Sequence, residues 1–474
     1  MSANIVSANS YVIRRASDAD AEELRRLAEL DSQSPLEGMI LIGEVAGEAV
    51  AALSVTEDRA IADPSIPTGH LLAEMRVQAR DMRSQRRRLR SVGASDASDS
   101  TTGGEDGGER VRASDGRPVI GLVSAPAGTA LEPGRLGRAK WAYTTRRVAQ
   151  HTAATLLTEG VTPRAGDLML ARVERLGQHE RLELQDSRRA QLFPGDEIVV
   201  CYGNRYAPDQ FEAEVPTTLA DCDLVAAGGI AASMLSRHGR MNEPTRIRPL
   251  GLLGDDMGGM LNLSRWALRA PAPPAQRPPT VAVVGTSMNA GKTTMAVNLV
   301  RGLATSGRRV GAAKITGTGA GGDIWLLRDA GADPALDFTD AGHASTYLAG
   351  EAQVEEIFTI VTAELAAAGA EVIVLEIADG VYQAETSALL RSRRFVAGVD
   401  QILFAGGDAA GVVAGVTHLR AQGHHVAAVG GMLSSSPLAA REAVHATGLP
   451  VLDNAALRRP DALPGLVERL DVAA

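Results

Sequence analysis

The segment GTSMNAGKTT, at residues 285–294, constrains the fold of this chain more than any other part of its sequence. It follows the apolar run VAVV and precedes a helical stretch, and a strand, a glycine-rich loop and a helix in this order are typical of a phosphate-binding loop. Gly285 and Gly291 allow successive backbone N–H groups to point at one phosphate, and the dipole of the helix adds positive potential. The segment therefore predicts a binding site for ATP or GTP with Mg²⁺.

The side chains of this loop have separate predicted roles. Lys292 should reach the β- and γ-phosphates and should face solvent when no ligand is bound, and the Thr293 hydroxyl should ligate Mg²⁺. No Asn-Lys-x-Asp or Thr-Lys-x-Asp string, which would bind guanine, occurs in the sequence, so ATP is favoured over GTP. Further nucleotide contacts are predicted for Gly285, Thr286, Asn289, Ala290, Gly291 and Thr294.

Short apolar runs bounded by glycine alternate with helical stretches from Thr280 to Ala474; examples are TVAVVG, EVIVLEIA and QILFAGG. Such runs are typical of parallel strands that are buried on both faces between helices. We therefore predict the α/β class, with a doubly wound parallel sheet that carries the phosphate-binding loop at residues 280–474.

Five residues separate Gly285 from Gly291, one more than in the usual loop, and GTSMNAGKT resembles the loop of the dethiobiotin synthetase family. RRVGAAKITGTG is similar to a strand of that family, and the resemblance implies that Lys314 contacts the transferred phosphate and the substrate. VIVLEIADG is similar to the strand whose final Glu helps to hold the metal, which implies this role for Glu376. HVAAVGGMLSSSP resembles the strand whose end contacts the nucleotide base, which implies a base contact by Ser434.

A closer resemblance is to a little-characterised bacterial family of P-loop proteins related to dethiobiotin synthetase, whose members have a stretch like GTGAGGD after the second strand. Asp323 ends that stretch and is a candidate for a further Mg²⁺ or substrate contact. The resemblance extends from about Val281 to Val451. It implies an enzyme that uses ATP and Mg²⁺ to activate a small carboxylate or carbamate for ligation, with Lys292, Lys314 and Glu376 as catalytic residues. Related enzymes often dimerise, so a homodimer is expected.

Two alternatives to this enzyme stay open at the level of the sequence. The first is a protein that hydrolyses a nucleotide as a switch, or as an accessory in the delivery of a metal or a cofactor precursor. Such a protein would change its affinity for a partner rather than make a product. The second is a binding scaffold whose phosphate-binding loop is silent.

Two segments of biased composition divide the chain into three parts. Residues 91–116 are rich in Ser, Gly and Asp and cannot bury enough apolar surface to offset the entropy of ordering, so they are predicted to be a disordered linker. The proline-rich residues 271–279 are predicted to form a stiff, extended spacer. The expected domains are residues 1–90, 117–270 and 280–474.

Residues 1–90 are predicted to form a small α+β module. YVIRRAS indicates a strand, residues 18–30 a helix with Leu24, Leu27 and Leu30 on one face, and MILIGEVAGEAVAALSV a hairpin that turns at Gly47. A last helix is expected over residues 67–89. This order resembles the first half of the GNAT acetyltransferase fold, but the glycine-rich turn for acetyl-CoA does not follow, so we interpret the module as truncated and non-catalytic.

Residues 117–270 are predicted to be β-rich and barrel-like, since AGDLMLARVERLGQHERLEL and GDEIVVCYGNRY alternate and turn at Gly-Asp pairs. LADCDLVAAGGIAASML indicates a strand, a glycine pair and a helix, and hence an α/β piece within this part. Polar residues are dense in the loop YGNRYAPDQFEA and could help to form an acceptor pocket: Asn204, Arg205, Tyr206, Asp209 and Gln210.

Another polar stretch, DFTDAGHASTYL, follows a predicted strand of the last part. Asp340 and His343 would share one face of it if it were helical.

Charge and composition exclude several classes of protein. The formal net charge is −9, and the one basic run, Arg83–Arg90, is interpreted as a solvated helix end, so no nucleic-acid partner is expected. No run of eighteen apolar residues occurs, so no membrane span is expected. Two cysteines and an N-terminus without an apolar signal core favour a cytoplasmic protein.

Overall fold

The computed structural model describes residues 11–16, 20–31, 33–36, 38–45, 48–57, 59–63, 128–272, 276–459 and 461–462, together with the single residues 68, 72, 75 and 79. The chain divides into two compact units, Met1–Val119 and Ile120–Ala474. The predicted linker at residues 91–116 lies outside the described residues, as do most of the helix predicted at 67–89, the hairpin turn at Gly47 and residues 273–275 of the proline-rich spacer.

The first unit contains a four-stranded antiparallel sheet with a helix packed against it, as predicted for an α+β module. Leu27 and Ala28 of the helix are buried against Ile40, Ile42 and Ala52 of the sheet, whereas Leu30 is 43% exposed. Its elements are β1 (Tyr11–Arg15), α1 (Ala21–Leu30), β2 (Ile40–Val45), β3 (Glu48–Ser54) and β4 (Ala60–Ala62).

The second unit begins with a part that consists almost entirely of strands. Successive side chains of its long strands belong alternately to two hydrophobic clusters, because the side chains of a strand point alternately to its two faces. The strands are β5 (Gly128–Ala130), β6 (Lys140–Trp141), β7 (Thr155–Leu157), β8 (Leu168–Arg175), β9 (Arg181–Glu183), β10 (Arg189–Gln191), β11 (Glu197–Tyr202), β12 (Arg205–Tyr206), β13 (Phe211–Glu214), β14 (Cys222–Ala226), β15 (Ile230–Arg237) and β16 (Thr245–Gly254), and a short helix α2 spans Arg135–Arg138.

Strand pairing in this middle part closes a ring. β14 pairs with both β15 and β16, while β15, β11, β8 and β16 pair in succession, so each strand of this ring has a partner on both edges. The predicted helix after the glycine pair is wrong, because IAASML lies in β15, antiparallel to β14. Gly229, at a φ of 97°, forms the tight turn between the two strands, and the small alanines fit the buried sheet face.

The remainder of the second unit is a doubly wound sheet, so the predicted fold class is confirmed. All seven strands are parallel, in the order β19-β18-β20-β17-β21-β22-β23. They are β17 (Thr280–Gly285), β18 (Val310–Lys314), β19 (Ala332–Asp337), β20 (Val372–Glu376), β21 (Gln401–Ala405), β22 (Val426–Gly430) and β23 (Val451–Leu452).

Helices cover both faces of this sheet. One face packs against α3 (Lys292–Thr305), α4 (Gly322–Ala330) and α10 (Asn454–Leu457). The other packs against α5 (Glu351–Ala367), α6 (Ala384–Arg391), α7 (Arg393–Gly398), α8 (Ala409–Ala421) and α9 (Pro437–Thr447). The carboxyl ends of the parallel strands therefore meet at one edge, where open α/β sheets bind ligands.

Candidate active site

The predicted phosphate-binding loop joins β17 to α3. Gly291 caps the helix at a φ of 99°, and a Cβ atom there would lie 2.9 Å from the Cα atom of Gly431. Only glycine fits this position without displacing the backbone of the neighbouring loop. Asn289 also has a positive φ, of 64°, which asparagine tolerates better than most residues. The sequence thus determines the curled backbone that a phosphate cradle requires.

Lys292 does not face solvent, contrary to the prediction. Its side chain folds back over the loop, its Nζ donates to the Ser287 carbonyl oxygen at 2.7 Å, and the residue is 5% exposed. Burial lowers the pKa of Lys292 below its ordinary value. The loop carbonyl thus accepts a hydrogen bond from an ammonium that a phosphate would attract more strongly.

Thr293 and Glu376 form the centre of the site. The Thr293 hydroxyl donates to Glu376 Oε1 at 2.8 Å, and Glu376 is 3% exposed at the end of β20. Its Oε2 atom is buried and has no hydrogen-bond partner among the described residues, and burial raises the pKa of this carboxyl. A hydroxyl beside a carboxylate with an unsatisfied oxygen matches the oxygen ligands that Mg²⁺ prefers.

Lys314 and Asp323 are brought together, but as an ion pair. Lys314 ends β18 in register with Glu376, and its ammonium binds the carboxylate of Asp323 in the first turn of α4. Although burial disfavours the charged amine, the carboxylates of Asp323 and Glu376 raise the pKa of Lys314. The predicted metal contact of Asp323 stays a prediction, since its charge here neutralises Lys314.

These residues line a cavity of about 510 Å³ that the phosphate-binding loop shares with the middle part. Asp379, which the predicted site lacks, also lines it, at a φ of 61° and with a pKa raised by burial. The lining residues from the sheet edge include Asn289, Gly291, Lys292, Thr293, Thr294, Lys314, Thr318, Asp323, Glu376, Asp379 and Met432.

The middle part contributes the other wall of this cavity. Arg205, Tyr206 and Gln210, from the polar loop noted in the sequence, line it together with His179. The Asn289 amide nitrogen donates to Asp209 Oδ2 at 2.7 Å, which ties the phosphate-binding loop to the turn between β12 and β13. No sequence signal distinguishes His179, because it follows an ordinary strand and reaches the cavity only through the ring of strands.

Four predicted nucleotide-binding residues lie beside the cavity rather than on its lining. Gly285 ends β17 within the sheet, and the backbone N–H of Thr286 donates to the Ala405 carbonyl oxygen at 2.9 Å. Ala290 is buried and its carbonyl accepts from the Met432 N–H at 3.0 Å. The Ser434 hydroxyl donates to the Gly431 carbonyl at 2.8 Å, and its contact with a base stays a prediction.

The polar stretch after β19 binds the middle part and is not helical. Asp340 accepts from Arg146 Nη2 at 2.6 Å, and Asp337, at the end of β19, accepts from the Tyr143 hydroxyl at 2.7 Å. His343 does not line the cavity, and burial lowers the pKa of its imidazole. These buried carboxylates therefore join the two parts of the unit and do not belong to the site.

No family model matches the chain, and no curated protein matches it. Among solved structures, it is similar to the signal recognition particle 54 kDa protein from Aeropyrum pernix K1 in complex with GDP, at 18% identity and a TM-score of 0.29, over 44% of this chain and 53% of that chain. It is also similar to the signal recognition particle receptor FtsY from Elizabethkingia anophelis in complex with GDP, at 14% identity and a TM-score of 0.27, over 42% and 67% of the two chains. A third is the cell division protein ftsY from Thermotoga maritima, at 16% identity and a TM-score of 0.28, over 42% and 71%.

The chain spans about half the length of the first of these proteins. TM-scores this low support no argument about the chain. Its fold is defined by its own sheet, loop and helix. Those elements give residues 280–459 the α/β fold of P-loop nucleotide-binding proteins. Within the described part of the chain, no helix is long and apolar enough to cross a membrane.

Proposed function

We propose that this protein is an ATP- and Mg²⁺-dependent enzyme that phosphorylates a small carboxylate or carbamate and so activates it for ligation. One observation carries the proposal: the cavity beside Lys292 and Thr293 is walled by side chains of the middle part. A protein that only hydrolysed its nucleotide would need room for a water molecule beside the γ-phosphate, whereas Arg205 and Gln210 line the opposite wall of this cavity and could bind an acceptor.

The proposed transfer breaks the bond between the γ-phosphorus and the bridging oxygen of ATP and forms a bond to an acceptor oxygen. The electron pair leaves with the β-phosphate of ADP, and an ionised acceptor has no proton to lose. Lys292 and Lys314 would stabilise the negative charge on the transferred group, which is the main requirement of this chemistry. The pair between Lys314 and Asp323 would hold the ammonium in place before the acceptor binds.

Thr293 and Glu376 would hold Mg²⁺, either directly or through its water molecules. The unsatisfied Glu376 Oε2 supports this assignment, because a buried carboxylate oxygen without a partner is costly unless a cation or a donor reaches it. When bound, the ion would neutralise charge between the β- and γ-phosphates. We propose ATP, rather than GTP, as the nucleotide of this enzyme.

A second candidate function is a nucleotide-driven switch. The loop after β18 lies against the middle part, since a Cβ atom on Gly228 would be 2.0 Å from the Gly319 carbonyl oxygen. A nucleotide that drew Lys314 away from Asp323 would shift this loop and change the surface offered to a partner. This candidate would need no acceptor.

The two candidates differ in acceptor-dependent turnover. Protein is incubated with γ-labelled ATP and Mg²⁺, with and without an extract of small metabolites. We expect the extract to stimulate ADP formation, and Lys314→Ala to lower kcat by about two to four orders of magnitude, the loss of one preorganised charged donor. Lys140→Ala is the matched control, because Lys140 pairs with Asp196 in the middle part and does not line the cavity. Equal turnover with and without extract, and an effect of Lys314→Ala on nucleotide affinity alone, would favour the switch.

A further inference from the structure

Arg205 is a buried cation that forms no ion pair with any carboxylate of the described residues. It is 5% exposed and lines the shared cavity, and Asp209 is a carboxylate whose charge acts on it without direct contact. Its Nη2 donates to the neutral Gln210 Oε1 at 2.7 Å, and its Nε is buried without a partner. Burial lowers the pKa of Arg205 to about 10, which still leaves it charged at neutral pH. Buried charges are normally paired directly, so a carboxylate of a ligand could supply the contact that this guanidinium lacks.

His179 leaves Arg205 with a further unused donor. The His179 Nε2 atom lies 3.0 Å from the Val225 carbonyl oxygen, and because a carbonyl only accepts, this nitrogen must carry the proton. Arg205 Nη1, at 3.4 Å from the same nitrogen, therefore finds no acceptor there. Burial lowers the pKa of His179 to about 4, so the imidazole is neutral at pH 7 and is not a counter-ion for Arg205.

We propose that Arg205, positioned by Gln210, binds a carboxylate of the acceptor, so that the substrate class is a small dicarboxylic acid. The inference rests on the proposed function, in which a first carboxylate or carbamate lies at the γ-phosphate near Lys292 and Lys314. Arg205 belongs to the wall that the middle part contributes, so the carboxylate that it binds is a second one. The planar guanidinium matches a carboxylate with two parallel hydrogen bonds.

Carboxylates around the same cavity limit the charge of the ligand. Asp209, whose charge acts on Arg205, is tied to Asn289, and Asp379 and Glu376 line the sheet edge. A second phosphate group would carry more negative charge than one guanidinium offsets. A carboxylate brings a single negative charge, which suits a wall whose one guanidinium already lies near Asp209.

The test uses equilibrium binding by calorimetry to the full chain with Mg²⁺ and ADP, so that no turnover is required. The probes are malonate, succinate, glutarate and adipate, each paired with its monoamide, which removes one charge at nearly constant size. We expect at least one diacid to bind at least about tenfold more tightly than its monoamide, since hydrogen bonds between charged groups are stronger than those between neutral groups. Arg205→Gln should lower the affinity for that diacid by about 10- to 100-fold and leave the affinity for ADP unchanged. The exposed Arg248→Gln, in the same ring of strands, is the matched control and should change neither.

Equal affinity for diacid and monoamide throughout the series would overturn the proposal. Loss of ADP affinity in Arg205→Gln would also overturn it, because Arg205 would then bind the nucleotide instead. The comparison of diacid with monoamide on the unmodified chain decides the question even if Arg205→Gln does not fold. Diacid binding without diacid-stimulated ADP formation would refute the proposed enzyme but keep the carboxylate site. The two failures are therefore distinguishable.

Discussion

At the scale of single residues, the positions of the few lysines in the chain are informative. The sequence contains only Lys140, Lys292 and Lys314 among its 48 basic residues, and arginine occupies the other positions. Two of these three lysines line the cavity. An ammonium is a compact point charge that fits between phosphate oxygens, whereas arginine suits planar carboxylates and exposed positions. Two of the three lysines therefore lie where the proposed phosphate chemistry would use them, and Arg205 lies where a carboxylate is proposed.

Lys292→Ala tests the phosphate-binding loop directly. We expect the affinity for Mg²⁺-ATP to fall roughly 100-fold, because a charged hydrogen bond to phosphate is lost. The free energy of unfolding should change by only about 1–2 kcal/mol, since the hydrogen bond to Ser287 is lost while a buried charge is removed. Calorimetry with ATP and GTP and thermal unfolding measure both quantities, with Lys140→Ala as the control. Unchanged nucleotide affinity would refute the loop assignment.

Glu376→Gln tests the metal assignment. The amide keeps the size of the side chain and can still accept from Thr293, but it removes the charge that would attract Mg²⁺. We expect the Mg²⁺ concentration for half-maximal ATP turnover to rise by roughly tenfold or more, with partial rescue at high Mg²⁺. Titrations of Mg²⁺ at fixed ATP give this value. Glu371→Gln, at the exposed end just before β20, should leave it unchanged, and an unchanged titration in Glu376→Gln would remove the carboxylate from the metal site.

At the scale of elements, the middle part positions the loop that leads into α4. Gly228, in the turn between β14 and β15, lies against Gly319 of that loop. Glu183, at the end of β9, accepts from the Gly321 N–H at 3.0 Å and from Trp325 Nε1 at 3.3 Å. The first turn of α4, which carries Asp323, is therefore fixed by strands that lie far before it in the sequence.

Gly228→Ala should disturb this contact. A Cβ atom would lie 2.0 Å from the Gly319 carbonyl oxygen, and overpacking of this kind costs about 1–3 kcal/mol. We expect lower stability and reduced turnover, because the pair between Lys314 and Asp323 depends on the position of α4. Gly239→Ala is a matched control, since nothing lies within 4 Å of its added methyl group. Equal unfolding free energies for the two variants would show that the hairpin and the loop do not pack as described.

At the scale of the whole molecule, the middle part and the P-loop part act as one unit. Arg146 binds Asp337 at 3.1 Å and Asp340 at 2.6 Å, and the Tyr143 hydroxyl donates to Asp337. Both carboxylates are nearly inaccessible to solvent. Separation of the two parts would leave buried carboxylates without their cation, which is strongly destabilising.

Two truncations test this organisation. A chain without residues 1–119 should fold and bind Mg²⁺-ATP with unchanged affinity, because the deleted residues form a separate compact unit. A chain that starts at Thr280 should be much less stable, because it lacks Arg146 and Tyr143. Circular dichroism, thermal unfolding and calorimetry measure the two outcomes. A folded but inactive chain after the first deletion would show that the first unit supplies part of the site.

The sequence by itself determined the phosphate-binding loop and the sheet around it. Gly285, Gly291, Lys292 and Thr293 act through local backbone geometry, and the apolar runs specify parallel strands through their burial. The resemblance to a known family placed Lys314 and Glu376 in the site, and the structure brings them together because both end neighbouring parallel strands, whose carboxyl ends meet at one edge.

Only the tertiary structure decided what faces this loop. Arg205 and His179 reach the cavity through the pairing of strands distant in the sequence, and the same pairing made β15 a strand although IAASML alone resembles a helix. The burial of Lys292 and the pairing of Lys314 with Asp323 likewise depend on neighbours that no local pattern specifies. Local periodicity specifies elements, whereas the partners of a charged side chain follow from which elements pack together.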